Sequence, residues 1–181
     1  MKDIEKLKKS ALTLLKNLIA TPSFSSEEDK TAILIENWLD LHDIPFKREN
    51  NNIYAFNKYY DESKPNLLLN SHHDTVKPNS GYTKDPFKPQ IEDGKLYGLG
   101  SNDAGGCLVS LLASFVYFYD QPLNNYNLIV AATAEEESSG PNGLNSLLAS
   151  LPKIDVGIVG EPTLMDLAVA EKGLLVFDAK V

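Results

Sequence analysis

The stretch Tyr97-Gly98-Leu99-Gly100-Ser101-Asn102-Asp103-Ala104-Gly105-Gly106 places one carboxylate among four glycines, directly before an apolar run from Cys107 to Tyr119. Glycine lets the backbone adopt positive φ and approach a ligand closely, and Asn102 or Asp103 can cap a helix that begins here. A carboxylate in this position faces the crevice in front of the helix. We interpret Asp103 as a ligand that bridges metal ions. The alternative is a glycine-rich turn with an Asp cap and no chemistry.

Composition restricts the class of protein before any further motif is considered. The chain has 181 residues, of which 43% are hydrophobic and 23% charged, as expected for one folded domain with a sizeable core. Its net charge of -8 argues against a nucleic-acid surface and against membrane binding through basic residues. No apolar run resembles a signal peptide or a membrane span. We expect a cytoplasmic protein in which the single cysteine, Cys107, is a buried packing residue.

Periodicity predicts strands that alternate with helices. Four helices are predicted: 3–20, a segment that follows a capping box at 25–28 and ends near His42, about 104–119, and 144–151. Continuous apolar runs predict three buried strands: 67–69, 126–133 and 156–159. Residues 45–58 predict two strands around a turn, and 77–95 a long surface loop with at most a short hairpin. This order favours an α/β fold, with a largely parallel sheet and helices on both faces.

Acidic or imidazole side chains follow all three predicted buried strands. The strands run into Ser71-His72-His73-Asp74, Ala134-Glu135-Glu136-Glu137 and Gly160-Glu161-Pro162-Thr163. Ligands of open α/β sheets bind outside the carboxyl ends of the strands, so these side chains and Asp103 are expected to converge on one crevice. Each motif alone is typical of a polar loop or turn. Their conjunction at successive element boundaries favours a metal site.

The histidines differ in their predicted roles. Side chains alternate along a strand, so His72 and Asp74 share a face and His73 points the other way. His72 can therefore ligate a metal while Asp74 holds the tautomer of its imidazole from behind. His73 is interpreted as a packing or solvent-exposed residue. His42 is favoured at a helix C-terminus by the helix dipole and needs no catalytic role.

The acidic run that follows the second buried strand offers several carboxylates. Glu136 and Glu137 are adjacent and diverge, which suits one carboxylate on the metal and the other directed at a substrate or a water. Glu135 is interpreted as a surface charge. Glu161 completes the predicted ligand set, which is His72, Asp103, Glu137 and Glu161.

Together these motifs resemble the M20 metallopeptidase family, which includes acetylornithine deacetylase, succinyl-diaminopimelate desuccinylase and related aminoacylases and carboxypeptidases. The resemblance also includes Asp85-Pro86-Phe87 and Asp93-Gly94-Lys95-Leu96-Tyr97-Gly98, and it covers nearly the whole chain. It implies a zinc-peptidase-like α/β/α sandwich that hydrolyses an amide bond in a small N-acyl amino acid or short peptide. Segments 133–138 and 159–173 favour acetylornithine deacetylase-like deacylation over an M20 dipeptidase or carboxypeptidase.

The resemblance further implies a role for each site residue. It predicts two zinc ions, with cobalt or manganese as possible substitutes, held by His72, Asp103, Glu137 and Glu161. Asp103 would bridge the ions, with His72 and Glu161 on the first and Glu137 on the second. Asp74 would support His72, and Glu136 would be the general base. Two ions about 3.5–4 Å apart would lower the pKa of a shared water and stabilise the oxyanion.

Two departures from the family pattern affect these expectations. Gly98-Leu99-Gly100 stands where members usually have Gly-Arg-Gly, which removes no ligand. The family's second zinc also takes a late histidine, which none of the chain's three histidines matches. We therefore expect residues 1–165 to be the N-terminal part of a catalytic domain and 166–181 to be strands leading toward an absent lid or dimerisation domain. The chain alone is expected to show little or no hydrolysis, and its full-length parent could be a homodimer.

Three alternatives stay open from the sequence. The M28 aminopeptidases have a similar fold and similar His-x-Asp, Asp and Glu-Glu groups, although Gly160-Glu161-Pro162-Thr163 followed by Lys172-Gly173 favours M20. A non-catalytic metal-binding domain would bind metal without hydrolysis. A plain α/β scaffold would bind no metal.

Overall fold

A computed structural model describes residues 3–123, 125–170 and 173, and shows two sheets. Its strands are β1 (Lys47–Glu49), β2 (Asn52–Phe56), β3 (Asn66–His72), β4 (Gln90–Glu92), β5 (Lys95–Tyr97), β6 (Asn127–Thr133) and β7 (Val156–Val159). The main sheet has the strand order β1-β2-β6-β3-β7, and β4 and β5 form a separate antiparallel hairpin. This hairpin lies in the segment predicted to be a loop with at most a short hairpin.

The centre of the main sheet is parallel, because β3 pairs in parallel with both β6 and β7. β2 runs antiparallel to β6, and β1 runs antiparallel to β2. β1 and β2 are joined only by Asn50 and Asn51. This connection is too short for a crossover, so the two strands must form an antiparallel hairpin. The sheet is therefore mixed, with a parallel centre, and the α/β class is confirmed.

Helices cover both faces of the main sheet, as predicted. They are α1 (Ile4–Ile19), α2 (Asp29–Leu41), α3 (Cys107–Phe118) and α4 (Leu144–Leu148). One face, which includes Val130, joins a core with α1, α2 and α3, while Ile129 on the opposite face packs in a second core with Leu147 of α4. Successive side chains of β6 point to opposite faces of the sheet. Because a core covers each face, every residue of this strand is buried.

The prediction that 156–159 is a buried strand is wrong for the described part of the chain. β7 lies at the edge of the sheet, and Val156, Ile158 and Val159 are 58%, 47% and 59% exposed. A continuous apolar run predicts that a strand has apolar surroundings, but it does not show which element provides them.

Two predicted helix starts also differ from the structure. α2 begins at Asp29, and its cap residue Glu28 makes no capping hydrogen bond, so the predicted capping box is wrong. α3 begins at Cys107 and not near Ala104, because Ser101–Gly106 forms a separate wide turn with non-helical dihedrals at Asp103 and Ala104. In both places the polar side chains are directed toward the crevice or its supporting loops and do not cap a helix.

The predicted strands at 166–181 fall largely outside the described residues, which exclude 171, 172 and 174–181. Residues 166–170 do not form a strand. Among the helices that are described, none is long and apolar enough to cross a membrane.

Candidate metal centre

The carboxyl ends of β3, β6 and β7 lie side by side and bring the predicted site residues together. His72 is the last residue of β3, the acidic run follows β6, and Glu161 follows β7 by two residues. The turn that holds Asp103 reaches the same place from the start of α3, so Asp103 Oδ1 lies 3.2 Å from His72 Nε2. The predicted convergence on one crevice is thus what the structure shows.

His72 Nε2 lies at the centre of this cluster. Besides its contact with Asp103, it is 3.8 Å from Glu136 Oε2 and 3.8 Å from Glu161 Oε1. His72, Asp103 and Glu137 each offer a ligand atom, and these atoms lie within 4.8 Å of one another. Atoms that each lie about 2 Å from a common zinc ion are separated by about 4 Å or less. The cluster is therefore compact enough to take up a cation after small side-chain adjustments.

The other ring nitrogen of His72 is held by Asp74. Nδ1 lies 3.0 Å from the backbone oxygen of Asp74 and 3.3 Å from its carboxylate Oδ1. Both partners accept hydrogen bonds, so Nδ1 carries a proton, and Nε2 is directed at the acidic cluster. This is the arrangement predicted from the alternation of side chains along β3, with the backbone oxygen as an additional acceptor.

The carboxylate of Asp74 also organises the acidic loop, a role that the sequence did not reveal. Its Oδ1 accepts from the amide of Glu136 at 3.1 Å, and its Oδ2 accepts from the amide of Glu137 at 3.1 Å and from Ser25 Oγ at 2.7 Å. Burial by itself raises the pKa of Asp74, but the hydrogen bonds from His72, Ser25 and the loop outweigh it and lower the pKa. Asp74 is thus a buried anion with a full set of donors.

The negative charges of the cluster raise the pKa values of several of its members. Burial lowers the pKa of His72, yet the hydrogen bond to Asp74 and the surrounding carboxylates raise it to about 9. Burial and the charges of the neighbouring carboxylates raise the pKa of Glu161 to about 7 in spite of His72. Burial and the charge of Asp103 likewise raise the pKa of Glu137. Protons partly compensate the crowded negative charge, and a divalent ion would do so by displacing them.

The other two histidines lie outside this cluster. His73 is buried, with Nδ1 2.9 Å from Thr31 Oγ1 and Nε2 2.8 Å from the backbone oxygen of Asn51. Of the two predicted possibilities, packing or solvent exposure, it is therefore the packing residue. His42 caps the C-terminus of α2, and its Nε2 lies 3.1 Å from Ser10 Oγ. Both rings serve the packing of α1, α2 and the sheet.

Two other predictions need correction. Glu135 is not a surface charge: only 5% of the residue is exposed, and its carboxylate accepts from Ser26 and Asn142. A charged residue in an acidic run gives no sequence signal of such burial, because its partners come from distant loops. Cys107 is half-buried rather than buried, and burial raises the pKa of its thiol, which disfavours a nucleophilic thiolate.

A cavity of about 360 Å³ opens beside Asp103 and Glu137. Its other lining residues are Thr75, Val76, Tyr82 and 98–102, so it contains no basic side chain from the described residues. Thr75 Oγ1 is buried without a hydrogen-bond partner, alone among the buried side-chain polar atoms that the structure describes. A larger apolar groove of about 660 Å³ between α1 and α3 includes none of the predicted site residues.

The family of the chain follows from comparison with known proteins. Peptidase family M20/M25/M40 matches residues 68–172, which is more than half of the chain. The chain therefore belongs to this family of metal-dependent hydrolases, as the resemblance of its motifs implied, and the M28 alternative is set aside.

Curated relatives point to two deacylases. Acetylornithine deacetylase of Buchnera aphidicola subsp. Acyrthosiphon pisum (strain Tuc7) is 31% identical over 183 residues, covering 95% of this chain and 48% of the relative. Succinyl-diaminopimelate desuccinylase of Wolbachia pipientis subsp. Culex pipiens is 31% identical over 172 residues, covering 87% of this chain and 42% of the relative. The chain thus spans about half the length of the curated relatives it matches.

Solved structures share the fold. The M20 family metallo-carboxypeptidase Sso-CP2 from Sulfolobus solfataricus has a TM-score of 0.68 at 24% identity, covering 83% of this chain and 37% of that one. The YXEP protein of Bacillus subtilis, described as a dinuclear metal-binding peptidase from the M20 family, has a TM-score of 0.65 at 16% identity. The match covers 86% of this chain and 43% of that one. At these identities the likeness establishes the α/β fold.

Proposed function

We propose that this chain supplies the metal-binding part of an enzyme that hydrolyses the amide bond of a small N-acyl amino acid, in the manner of an acetylornithine deacetylase. The observation that supports this proposal most strongly is the convergence of His72, Asp103, Glu137 and Glu161 at the carboxyl ends of three parallel strands. The curated relatives named above act, by their names, on acylated amino acids of this kind.

The donor set fits a divalent transition metal. One imidazole and several carboxylates around an open crevice suit zinc, with cobalt and manganese as possible substitutes. We propose that His72, Asp103 and Glu161 hold one ion and that Asp103 and Glu137 hold a second. When bound, the metal would lower the pKa of a water and stabilise negative charge on the carbonyl oxygen.

The protein's own contribution to the chemistry is proton transfer and orientation. The side chain of Glu136 is 55% exposed and reaches the same crevice, with Oε2 3.8 Å from His72 Nε2. Glu136 would accept the proton of the attacking water and return it to the leaving amine. Asp74 would keep His72 in the required tautomer and hold the backbone of the base in place through the amide of Glu136.

The cavity beside the cluster favours an uncharged acyl group over a succinyl group. Asp103 and Glu137 form one wall, and the described lining offers no cation to pair with a terminal carboxylate. This lack of a cation in the described lining supports deacetylation rather than desuccinylation.

The first experiment measures metal content, by elemental analysis and zinc titration of the chain, of Asp103→Ala and of the exposed control Glu62→Ala. We expect zinc in the chain and the control, and loss of zinc in Asp103→Ala, because Asp103 would contact both ions. Equal zinc binding by all three proteins would refute the site.

A second experiment tests the substrate class with the chain joined to the remaining sequence of its parent. We expect faster hydrolysis of N-acetyl than of N-succinyl amino acids, and little hydrolysis by the chain alone because no histidine here matches the late ligand. A preference for succinyl substrates would refute the neutral acyl group. Zinc binding without hydrolysis in the joined protein would favour a non-catalytic metal-binding domain.

Three other expectations stay predictions. They are the cytoplasmic location, a homodimer of the parent, and the division of the chain near residue 165 between the catalytic domain and the segment leading out of it.

A further inference from the structure

Three successive backbone amides of the acidic loop donate to two buried carboxylates. Glu136 and Glu137 donate to Asp74, as described above, and Glu135 N donates to Glu28 Oε1 at 3.1 Å. Glu28 is 0% exposed and lies directly before α2, far from the loop in sequence. Hydrogen bonds to these two carboxylates therefore hold the backbone of all three acidic residues of the loop.

Glu135 makes the sharp turn that presents the next two residues to the crevice. Its φ is 54°, in the left-handed region that residues with a Cβ rarely adopt. Such a conformation persists when the surroundings over-determine it. Its carboxylate accepts from Ser26 Oγ at 3.2 Å and from Asn142 N and Nδ2 at 3.0 and 2.9 Å. Gly140 leaves the room that this side chain needs, because a Cβ there would collide with it.

Glu28 also connects this turn to the rest of the fold. Its Oε1 accepts from the amide of Ser26 at 2.6 Å, and its Oε2 accepts from Asn51 Nδ2 at 2.9 Å. One buried carboxylate thus joins the start of α2, the β1–β2 turn and the loop after β6. Each of its contacts uses an oxygen as acceptor, which explains why the position holds a carboxylate.

We propose that Glu28, Ser26 and Asn142 form a clamp that fixes the turn at Glu135 and so sets the positions of the general base and of a metal ligand in the next two residues. The three residues are positioning residues, because none of them lies in the cluster around His72 Nε2. The inference rests on the proposed function in so far as the two residues after Glu135 act in catalysis and metal binding.

The test uses Glu28→Leu, which removes both acceptors, and Glu28→Gln, which keeps one. The matched control is Thr31→Val: Thr31 lies in the same buried region, and its described side-chain hydrogen bonds go to the backbone oxygen of Glu28 and the ring of His73, not to the acidic loop. Asn142→Ala weakens the clamp from its exposed side, so it tests the proposal even if Glu28→Leu does not fold.

The first readout needs no metal: amide hydrogen exchange of residues 135–137 in the metal-free chain. We expect exchange to become at least about tenfold faster in Glu28→Leu and faster in Asn142→Ala, with little change in Thr31→Val. The second readout is zinc affinity, which should fall about 10–100-fold in Glu28→Leu and by less in Glu28→Gln.

The inference would be overturned if Glu28→Leu and Asn142→Ala both fold and both show unchanged amide exchange and unchanged zinc affinity. An equal loss in Thr31→Val would also overturn it, because the effect would then follow from general destabilisation. Failure of the proposed function looks different, since zinc would not bind to the unmodified chain although the exchange results would still follow the clamp.

Discussion

Replacing Asp74 with Asn tests whether one buried carboxylate both orients His72 and holds the acidic loop. Asn keeps the shape of Asp but presents an amide NH₂ in place of one oxygen. If the amide oxygen takes the place of Oδ1, it can still accept from Glu136 and His72. The NH₂ then faces the amide of Glu137, which is also a donor, so one buried donor is left unpaired.

The size of the effect follows from these contacts. A buried donor without an acceptor costs about 1–3 kcal/mol of folding stability. The rise in the pKa of His72 from 6.5 to about 9 corresponds to about 3 kcal/mol of stabilisation. Because the folded pKa is the higher one, this stabilisation is fully present below pH 6.5 and is lost as the pH rises toward 9. Asp74 supplies the largest favourable part of it, through its hydrogen bond and its charge.

The assay is urea unfolding of the metal-free chain at pH 6 and pH 9, with Glu62→Gln as a control for the lost negative charge. We expect the unmodified chain and the control to lose stability between these pH values, and Asp74→Asn to lose at least about 1 kcal/mol less. Asp74→Asn should also be about 1–3 kcal/mol less stable at pH 6. Identical pH dependence in all three proteins would refute the assigned partnership between Asp74 and His72.

Three further outcomes follow from the site and the turn before it. Zinc affinity should rise between about pH 7 and pH 9, and calorimetry should show proton release on binding. The reason is that the pKa values of Glu161 and His72 are raised to about 7 and about 9, and both ligands must be deprotonated to bind zinc. An affinity that falls over this pH range contradicts the ligand set. Glu136→Gln in the chain joined to its remaining sequence should keep its zinc but lose about 10²–10⁴-fold in kcat, and unchanged turnover would exclude Glu136 as the base. Gly98→Ala should lower the free energy of unfolding by about 1–3 kcal/mol in urea, because its Cβ would collide with Ile19 Cγ2. Wild-type stability of this variant would show that the packing around Ile19 relaxes freely.

Those parts of the fold that depend on local pattern could be predicted. Periodicity placed three elements correctly: the helix of residues 4–19, the strand that ends at His72 and the strand that precedes the acidic run. The meeting of His72, Asp103 and Glu161 followed from a general property of parallel strands, whose carboxyl ends share one edge of the sheet.

The errors concern properties that depend on distant partners. β7 has the apolar composition of a buried strand but lies exposed at the edge. Glu28 and Ser25 matched a capping box, yet Glu28 accepts from the amide of Glu135 and the hydroxyl of Ser25 donates to Asp74. These partners are 107 and 49 residues away, and no local rule contains them.

The sequence by itself determined the order of the elements, the α/β class and the kinds of side chain available at the strand ends, because each of these depends on neighbours within a few residues. The tertiary structure alone decided how these side chains are held: the backbone oxygen of Asp74 on His72, the two carboxylates beneath the acidic loop, and the burial of Glu135. The physical reason is that a hydrogen bond requires two groups to be correctly placed to within a few tenths of an ångström. Only the packed chain brings groups from separate loops to that accuracy.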